Sequence, residues 1–307
     1  MQITAVEPSD MNGMVGYTHS YPNHWDDFMA ALTVAALGGL VLRTNLLPVE
    51  LPPNGIVFDM GGLHDGEQWF DHHHDTELPC SAVLVWQWMV RTGRDPDGLV
   101  EKCLESELTP ILTTVDTRTG WAGVPEPLRP DRIKMDALLN AEPAILNNRD
   151  AARRVLTIYA HSVSPREFVD LCYEDELVRP LINPSYEHQL AEDQRMRELV
   201  NQLARYEIGG VVVGVAEVPL QRAITHAFQA GYDVVVAPNP RELDASTVTR
   251  DSDGRYKEKT IVELFPAIAN HARFVHPQGF MAVVPGAPRD VVEIMKRPAT
   301  WTRPAED

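Results

Sequence analysis

The chain has 307 residues, 44 Asp and Glu against 27 Lys and Arg, a formal net charge of −17 at pH 7 and 44% hydrophobic residues. That length accommodates two domains of ordinary size, and that apolar content buries a real core. Long nucleic acids are bound through phosphate neutralisation by basic side chains, so the charge argues against a duplex-binding surface but leaves room for a short oligonucleotide or a nucleotide.

The first residues, Met1 to Pro8, have no basic segment followed by an apolar stretch, so no secretory leader is expected. MVGYT at 14–18 predicts a short buried strand ending at His19. From Asp26 to about Leu37 the Ala-, Leu- and Met-rich composition predicts a packed helix, with Asp26 and Asp27 suited to its positive end. The mostly apolar run from Phe28 to Leu42 is shorter than the roughly 20 residues that span a bilayer. It is also broken by Gly38-Gly39, so no membrane association is expected. Val41–Thr44 and Ile56–Met60 read as strands, with Asn54-Gly55 as the turn before the second. Gly61-Gly62 then turns the chain sharply beside Asp59. Ser81 to Met89 reads as a buried helix. Strands alternating with helices predict a parallel sheet. Such sheets place ligands at the carboxyl ends of their strands, where His19 and Asp59 fall.

From about Asp97 to Glu207 the pattern is helical, with apolar residues at helical spacing over Leu104–Val115, Ala151–His161 and Arg166–Leu177. Asn183-Pro184-Ser185 opens an amphipathic stretch from Tyr186 to Tyr206. The expected organisation is therefore a domain over 1–184, a connecting helix over 185–206 and a smaller α/β domain over 207–307. The last domain reads as strand Ile208–Val215, helix Leu220–Ala230, strand Asp233–Ala237 and a polar loop over Pro238–Tyr256. Helix Thr260–Asn270, strand Phe280–Val284 and helix Arg289–Lys296 follow. Cys80, Cys103 and Cys172 lie far apart with no CxxC pair, so neither a disulfide framework nor a zinc finger is expected, and a reducing cytoplasmic setting is.

Six of the eleven histidines fall between residues 19 and 74. One cluster runs His19, His24, Asp26, Asp27, and a second runs Asp71, His72, His73, His74. Imidazole with carboxylate is the donor set that Mn, Zn or Fe prefers, so two such clusters suggest a two-metal hydrolytic site. Asp59 at a strand end suits a bridging ligand. Asp116 ends the apolar segment Leu112–Val115, where an acid needs a partner or a metal. His161, His188, His226 and His271 read as structural. Trp25 and Trp121 suit either stacking on a base or core packing.

The order and spacing of these residues resemble the DHH phosphoesterase superfamily, and within it the melanocyte-proliferating-gene exonuclease branch. Thr18-His19 through His24-Trp25-Asp26-Asp27 to Ala30 is similar to that branch's T-H-x-x-x-x-H-x-D-E-x-x-A, with Asp27 in place of Glu. Phe58-Asp59-Met60-Gly61-Gly62 is similar to V-D-V-G-G, and Phe70-Asp71-His72-His73 to the D-H-H motif. Ser81–Val85 is similar to the helix S-S-A-G-L-V, and Val115-Asp116 takes the place of the fourth acidic motif. Phe274–Phe280 resembles F-V-H-x-x-G-F, although Met-Ala-Val-Val-Pro-Gly follows it where a Gly-Gly-Asn type of sequence is expected.

The resemblance implies a two-domain α/β fold with a parallel-sheet N-terminal domain and the active site in the cleft between the domains. It implies two divalent ions, Mn2+ foremost, with Mg2+, Fe2+ or Zn2+ as alternatives. His19, His24 and Asp59 would hold one, and Asp26, Asp59, His72 and Asp116 the other. Asp71 would orient His72, and His73 would face the scissile phosphate. His276, with Arg250, Lys257 or Lys259, would grip the substrate. The implied activity is hydrolysis of short single-stranded oligonucleotides or nucleotide phosphodiesters by an activated water. A small-molecule phosphomonoesterase or pyrophosphatase, and a non-catalytic nucleotide-binding protein, are the alternatives. Base rates favour a homodimer for any self-association.

Overall fold

A computed structural model describes residues 13–20, 23–75, 77–220, 223–252 and 254–298. The stretch Met1–Pro8 lies outside the described residues, as do Tyr21 and Pro22 of the first histidine motif. The chain divides into two units, Met1–Leu190 and Ala191–Asp307.

In the first unit four short strands, β1 (Val15–Thr18), β2 (Leu40–Arg43), β3 (Gly55–Phe58) and β4 (Trp69–Phe70), pair in parallel in the order β2-β1-β3-β4. The parallel sheet expected from the alternation is present, with a two-residue β4 too short to announce itself. The chain leaves β1 toward β2 on one side, while β3 joins β1 on the other. Such a reversal of strand order opens a crevice at the carboxyl ends of the two central strands. The residues that immediately follow β1, β3 and β4 are His19, Asp59 and Asp71.

The helices of this unit are α1 (Trp25–Ala36), α2 (Ser81–Arg91), α3 (Leu99–Glu105), α4 (Leu108–Thr114), α5 (Arg132–Asn140), α6 (Glu142–Leu146), α7 (Arg149–His161) and α8 (Pro165–Glu174), and α9 (Arg179–Asn201) runs across the boundary at Leu190. Every residue of α1 is buried. A helix apolar on all sides must be covered on all sides, and α1 packs against α2, α6 and α7 as well as β1 and β2. Side-chain caps from Asn148 and Ser164 start α7 and α8, satisfying backbone N–H groups that a helix end leaves open.

Two helical readings need correction. Residues 104–115 are not one helix: Ser106 turns extended and its Oγ–H donates to the Tyr159 carbonyl at 3.0 Å. A five-residue π-helical turn, Val115–Thr119, then follows α4. Asn183-Pro184-Ser185 does not open a helix but lies inside α9. Pro184 falls early enough in α9 that it removes one hydrogen bond near the helix start without ending the helix.

The second unit holds β5 (Ala204–Ile208), β6 (Val211–Val215), α10 (Ala223–Gln229), β7 (Val234–Pro238), β8 (Ala245–Arg250), α11 (Ile261–Leu264), β9 (Phe274–Val275), β10 (Met281–Pro285) and α12 (Pro288–Met295). Its strands form one mixed sheet in the order β5-β6-β7-β8-β10-β9, with β6 and β7 parallel. β7 feeds both faces: Val234 and Val236 join Ile261, Phe265 and Val291, while Val235 and Ala237 join Leu203, Ala223 and Ala227. The expected strand Ile208–Val215 is instead a hairpin, turned at Gly209 and Gly210 with φ of +60° and +82°. Those are the values a tight two-residue turn demands. The expected polar loop over 238–256 contains β8, whose Ser, Thr and Arg residues hide its alternation. Residues 260–270 break at Phe265, where Pro266 starts a 3-10 turn. Among the described residues no helix is long and apolar enough to cross a membrane.

Candidate metal centre

The crevice is furnished by strand ends and one helix start. β1 delivers His19, and His24 precedes α1, whose first turn carries Asp26 and Asp27. β3 delivers Asp59 with φ of +54°, the one non-glycine among the described residues with a positive value. Aspartate tolerates this region better than most residues, at a cost of about 1–2 kcal/mol. Such strain persists where the surrounding structure imposes it, commonly at a functional site. The Gly62 N–H donates to Asp71 Oδ2 at 2.7 Å, fastening the turn to the end of β4. Asp116 arrives on the π-helical turn after α4, a distortion that recurs at functional sites.

Three groups of potential ligand atoms result, each with its atoms within 4.8 Å of one another: His19, His24 and Asp59; His24, Asp26 and Asp116; and Asp59, Asp71, His72 and His73. Asp59 belongs to two of them.

Hydrogen bonds fix which imidazole nitrogen faces the carboxylates. His19 Nδ1–H donates to the Ser20 carbonyl at 2.8 Å, leaving Nε2 at 3.0 Å from both Asp27 Oδ2 and Asp59 Oδ2. Ser81 Oγ–H donates to Asp59 Oδ1 at 3.2 Å and so accepts from His72 Nδ1–H at 3.1 Å. His72 Nε2 then lies 3.0 Å from Asp116 Oδ2. The role of orienting His72, which the resemblance gives to Asp71, therefore falls to Ser81. Asp71 Oδ1 instead receives the backbone N–H of His73 at 3.0 Å and lies 2.6 Å from His73 Nδ1. His73 is 57% exposed and lies with its ring stacked 4.4 Å from that of His72.

The electrostatics are those of a site with more carboxylate charge than Arg43 and the imidazoles offset. Asp26 and Asp27 are fully buried, and one oxygen of each, Oδ1, has no hydrogen-bond partner. Burial, and then the neighbouring Asp59, Asp116 and Asp27, push the Asp26 carboxyl well above its usual range. Asp27, followed by Asp59, lifts the His19 imidazole to about 10. Burial acts to lower His72, but Asp116, Asp59 and Asp71 together turn the net shift upward. Asp71 moves the other way: burial would raise it, yet the N–H groups of His73 and Gly62 hold it below its ordinary value. The Oδ2 atoms are served, by Arg43 and His19 at Asp27 and by the Ser81 N–H at Asp26, but a buried carboxylate oxygen left without a partner is costly. A divalent cation supplies the missing charge, and the mixed imidazole and carboxylate donors fit Mn2+, Zn2+ or Fe2+.

All six residues expected as ligands, His19, His24, Asp26, Asp59, His72 and Asp116, fall in these groups, as do Asp71 and His73. The four residues expected to grip substrate lie in the second unit. The His276 ring lies 4.1 Å from that of Phe280, tilted by 46°, and its Nδ1 accepts from the Gln278 N–H. Lys257 and Lys259 are exposed beside a turn. Arg250 is buried in β8, with Nη1–H donating to the Asp251 carbonyl.

Residues outside the expected set also belong here. Arg43 donates to Asp27 Oδ2 at 2.9 Å and grips both oxygens of Glu142 at 2.5 and 2.6 Å. Asn23 donates to Glu142 at 2.8 Å. Asp27 was legible as a motif position, whereas Glu142, far away in sequence, had no local signal. Ser81→Ala is expected to lower metal affinity about 10- to 100-fold, the usual cost of losing a partner that orients a ligand. Titration against a chelating indicator reads this, and an unchanged affinity would remove Ser81 from the site.

No family model and no curated protein sequence matches the chain. Among solved structures it is similar to RecJ from Thermus thermophilus in complex with Mg2+, at 16% identity and a TM-score of 0.39 over 92% of this chain. The chain spans about half of that RecJ chain, 49%. It is also similar to the DHH domain of a member of a family of ribosomal proteins, at 13% identity and a TM-score of 0.41, covering 92% of this chain and 85% of that one.

Proposed function

We propose that this chain is a metal-dependent phosphodiesterase of DHH type, in the melanocyte-proliferating-gene exonuclease branch, acting on short single-stranded oligonucleotides or nucleotide phosphodiesters. The observation that carries this reading is the convergence of four separate motifs, from His19 to Asp116, into three ligand groups, linked through Asp59 and His24. His19, His24 and Asp59 would hold one ion, and Asp26, Asp59, His72 and Asp116 the other, with Mn2+ suiting the donors. Two such ions, when bound, screen the phosphate charge and lower the pKa of an attacking water.

The chain's own residues do the rest. Arg43 and Glu142 hold Asp27, which holds His19 in place. Ser81 fixes the tautomer of His72. His73, tied through Nδ1–H to Asp71, leaves Nε2 outside that bond, so that its doubly protonated ring would donate Nε2–H to a phosphoryl oxygen or to the leaving group. The cavity of about 450 Å3 above them is lined by His19, His24, Asp59, Gly61, Asp71 and His73 among others, with no lysine or arginine among the described lining residues. A phosphodiester is repelled from such a lining until cations are present.

The test is Mn2+-dependent release of nucleotides from short end-labelled RNA and DNA oligomers, with Asp71→Asn and EDTA-treated protein alongside. Release lost in both controls is the expected outcome. No release from protein carrying its metals would overturn the oligonucleotide reading.

A further inference from the structure

A second cavity, of about 380 Å3, opens on the other side of His24. His24 and Asp116 form one wall and also belong to a ligand group. The rest of the lining includes the apolar and aromatic Trp25, Trp121, Met135 and Leu139, together with the carboxylate of Asp136. The volume is within the roughly 300–1,000 Å3 of small-molecule sites.

One feature of this lining goes beyond core packing. Trp121 stacks on Trp25 at 5.4 Å and 18°, and Trp25 in turn stacks on Phe168 at 6.1 Å and 25°. Trp25 and Phe168 are buried, whereas Trp121 is only half-buried, so the column holds the Trp121 indole in place at its more exposed end. Trp121 sits on the 3-10 turn Gly120–Gly123, directly after the turn carrying Asp116.

We propose that this cavity is a nucleobase subsite, in which the base of the nucleotide whose phosphate lies at the metal centre packs against Trp121. The inference rests on the hydrolase reading for what the neighbouring carboxylates and imidazoles hold. A planar heteroaromatic ring matches an indole held in place beside a ligand group for the phosphate's cations. A bare sugar phosphate offers no ring to stack. The cavity therefore makes the protein selective for nucleotides over other phosphoesters, with the ring rather than the identity of the base as the main determinant.

The test compares binding of AMP and ribose 5-phosphate to Mn2+-loaded protein by calorimetry, in wild type, Trp121→Ala and Trp121→Phe. Wild type is expected to bind AMP at least about tenfold more tightly, the scale of one base–aromatic stack. Trp121→Ala removes most of that preference at unchanged metal stoichiometry, and Trp121→Phe retains it. Equal binding of the two probes by wild type, or binding of neither, overturns the subsite whether or not Trp121→Ala folds. A preference that survives Trp121→Ala also overturns it. Oligonucleotide hydrolysis without a base preference would sink the subsite alone, and a Trp121-dependent preference without hydrolysis would sink the hydrolase reading alone.

Discussion

Asp59→Asn is expected to abolish tight binding of the divalent ions and to lower hydrolysis by at least about 100-fold, beyond the usual 10- to 100-fold cost of an orienting partner. Asp59 Oδ2 lies 3.0 Å from His19 Nε2 and 3.8 Å from His24 Nδ1, and Oδ1 lies 3.8 Å from Nδ1 of both His72 and His73. An amide keeps one of those oxygens and turns the other into a donor that no cation accepts. It also removes the charge shared by two ligand groups. Asparagine tolerates the left-handed backbone as well as aspartate does, so the turn at φ of +54° survives and the loss is chemical. Metal stoichiometry, hydrolysis and circular dichroism on the same preparation separate these effects. Full metal content with near-normal turnover in Asp59→Asn would refute the bridging assignment.

Metal affinity is expected to climb steeply with pH, and the stability of the metal-free protein to fall over the same range. Asp27, then Asp59, hold the His19 proton up to about pH 10 in the folded chain, against 6.5 for a free imidazole. A group whose folded pKa is raised stabilises the fold fully below its unfolded value and loses that contribution as pH rises through the folded value. For His19 the window is about 6.5 to 10. The Asp26 carboxyl, raised first by burial and then by Asp59, acts in the same direction, its contribution complete below its ordinary value near 3.8. Asp71, lowered despite burial by the His73 and Gly62 N–H groups, opposes them only in strong acid. EDTA-treated protein should therefore melt at progressively lower temperature from about pH 6.5 to about pH 9. Binding requires the same nitrogen and oxygen atoms without their protons, so affinity rises about tenfold per pH unit for each proton displaced. Calorimetry in buffers of different ionisation enthalpy counts those protons. An affinity flat across that range would show that His19 and Asp26 are not ligands.

What the sequence disclosed follows from how local each signal is. The strands ending at Thr18 and Phe58 were legible because apolar runs stop at polar residues, and that alone placed His19 and Asp59 at the carboxyl edge. The ligands of the two histidine clusters were legible because they lie within a few residues of each other. Ser81 was visible only as a helix start: its role depends on meeting Asp59 and His72 across the crevice. Glu142 pairs with Arg43 across 99 residues, a contact no window of sequence contains. β8 escaped notice because Ser246 and Arg250 are buried there, against the usual preference of such residues. The β5–β6 hairpin was read through because Gly209-Gly210 sits between residues that all favour strands. The continuation of α9 past Pro184 was masked by a residue that more often stops a helix than sits inside one.

The complete burial of α1 has a consequence for how the chain is made. Its cover comes from two places, α2 soon after it and α7 much later, with Arg149 at the start of α7 donating to the Ala36 carbonyl 113 residues upstream. At the roughly 5–20 residues per second of synthesis, that interval lasts about 6 to 23 s. For that time an apolar segment leaves the ribosome with only one of its main partners available. The packing around α1 is thus completed only after α7 has been made.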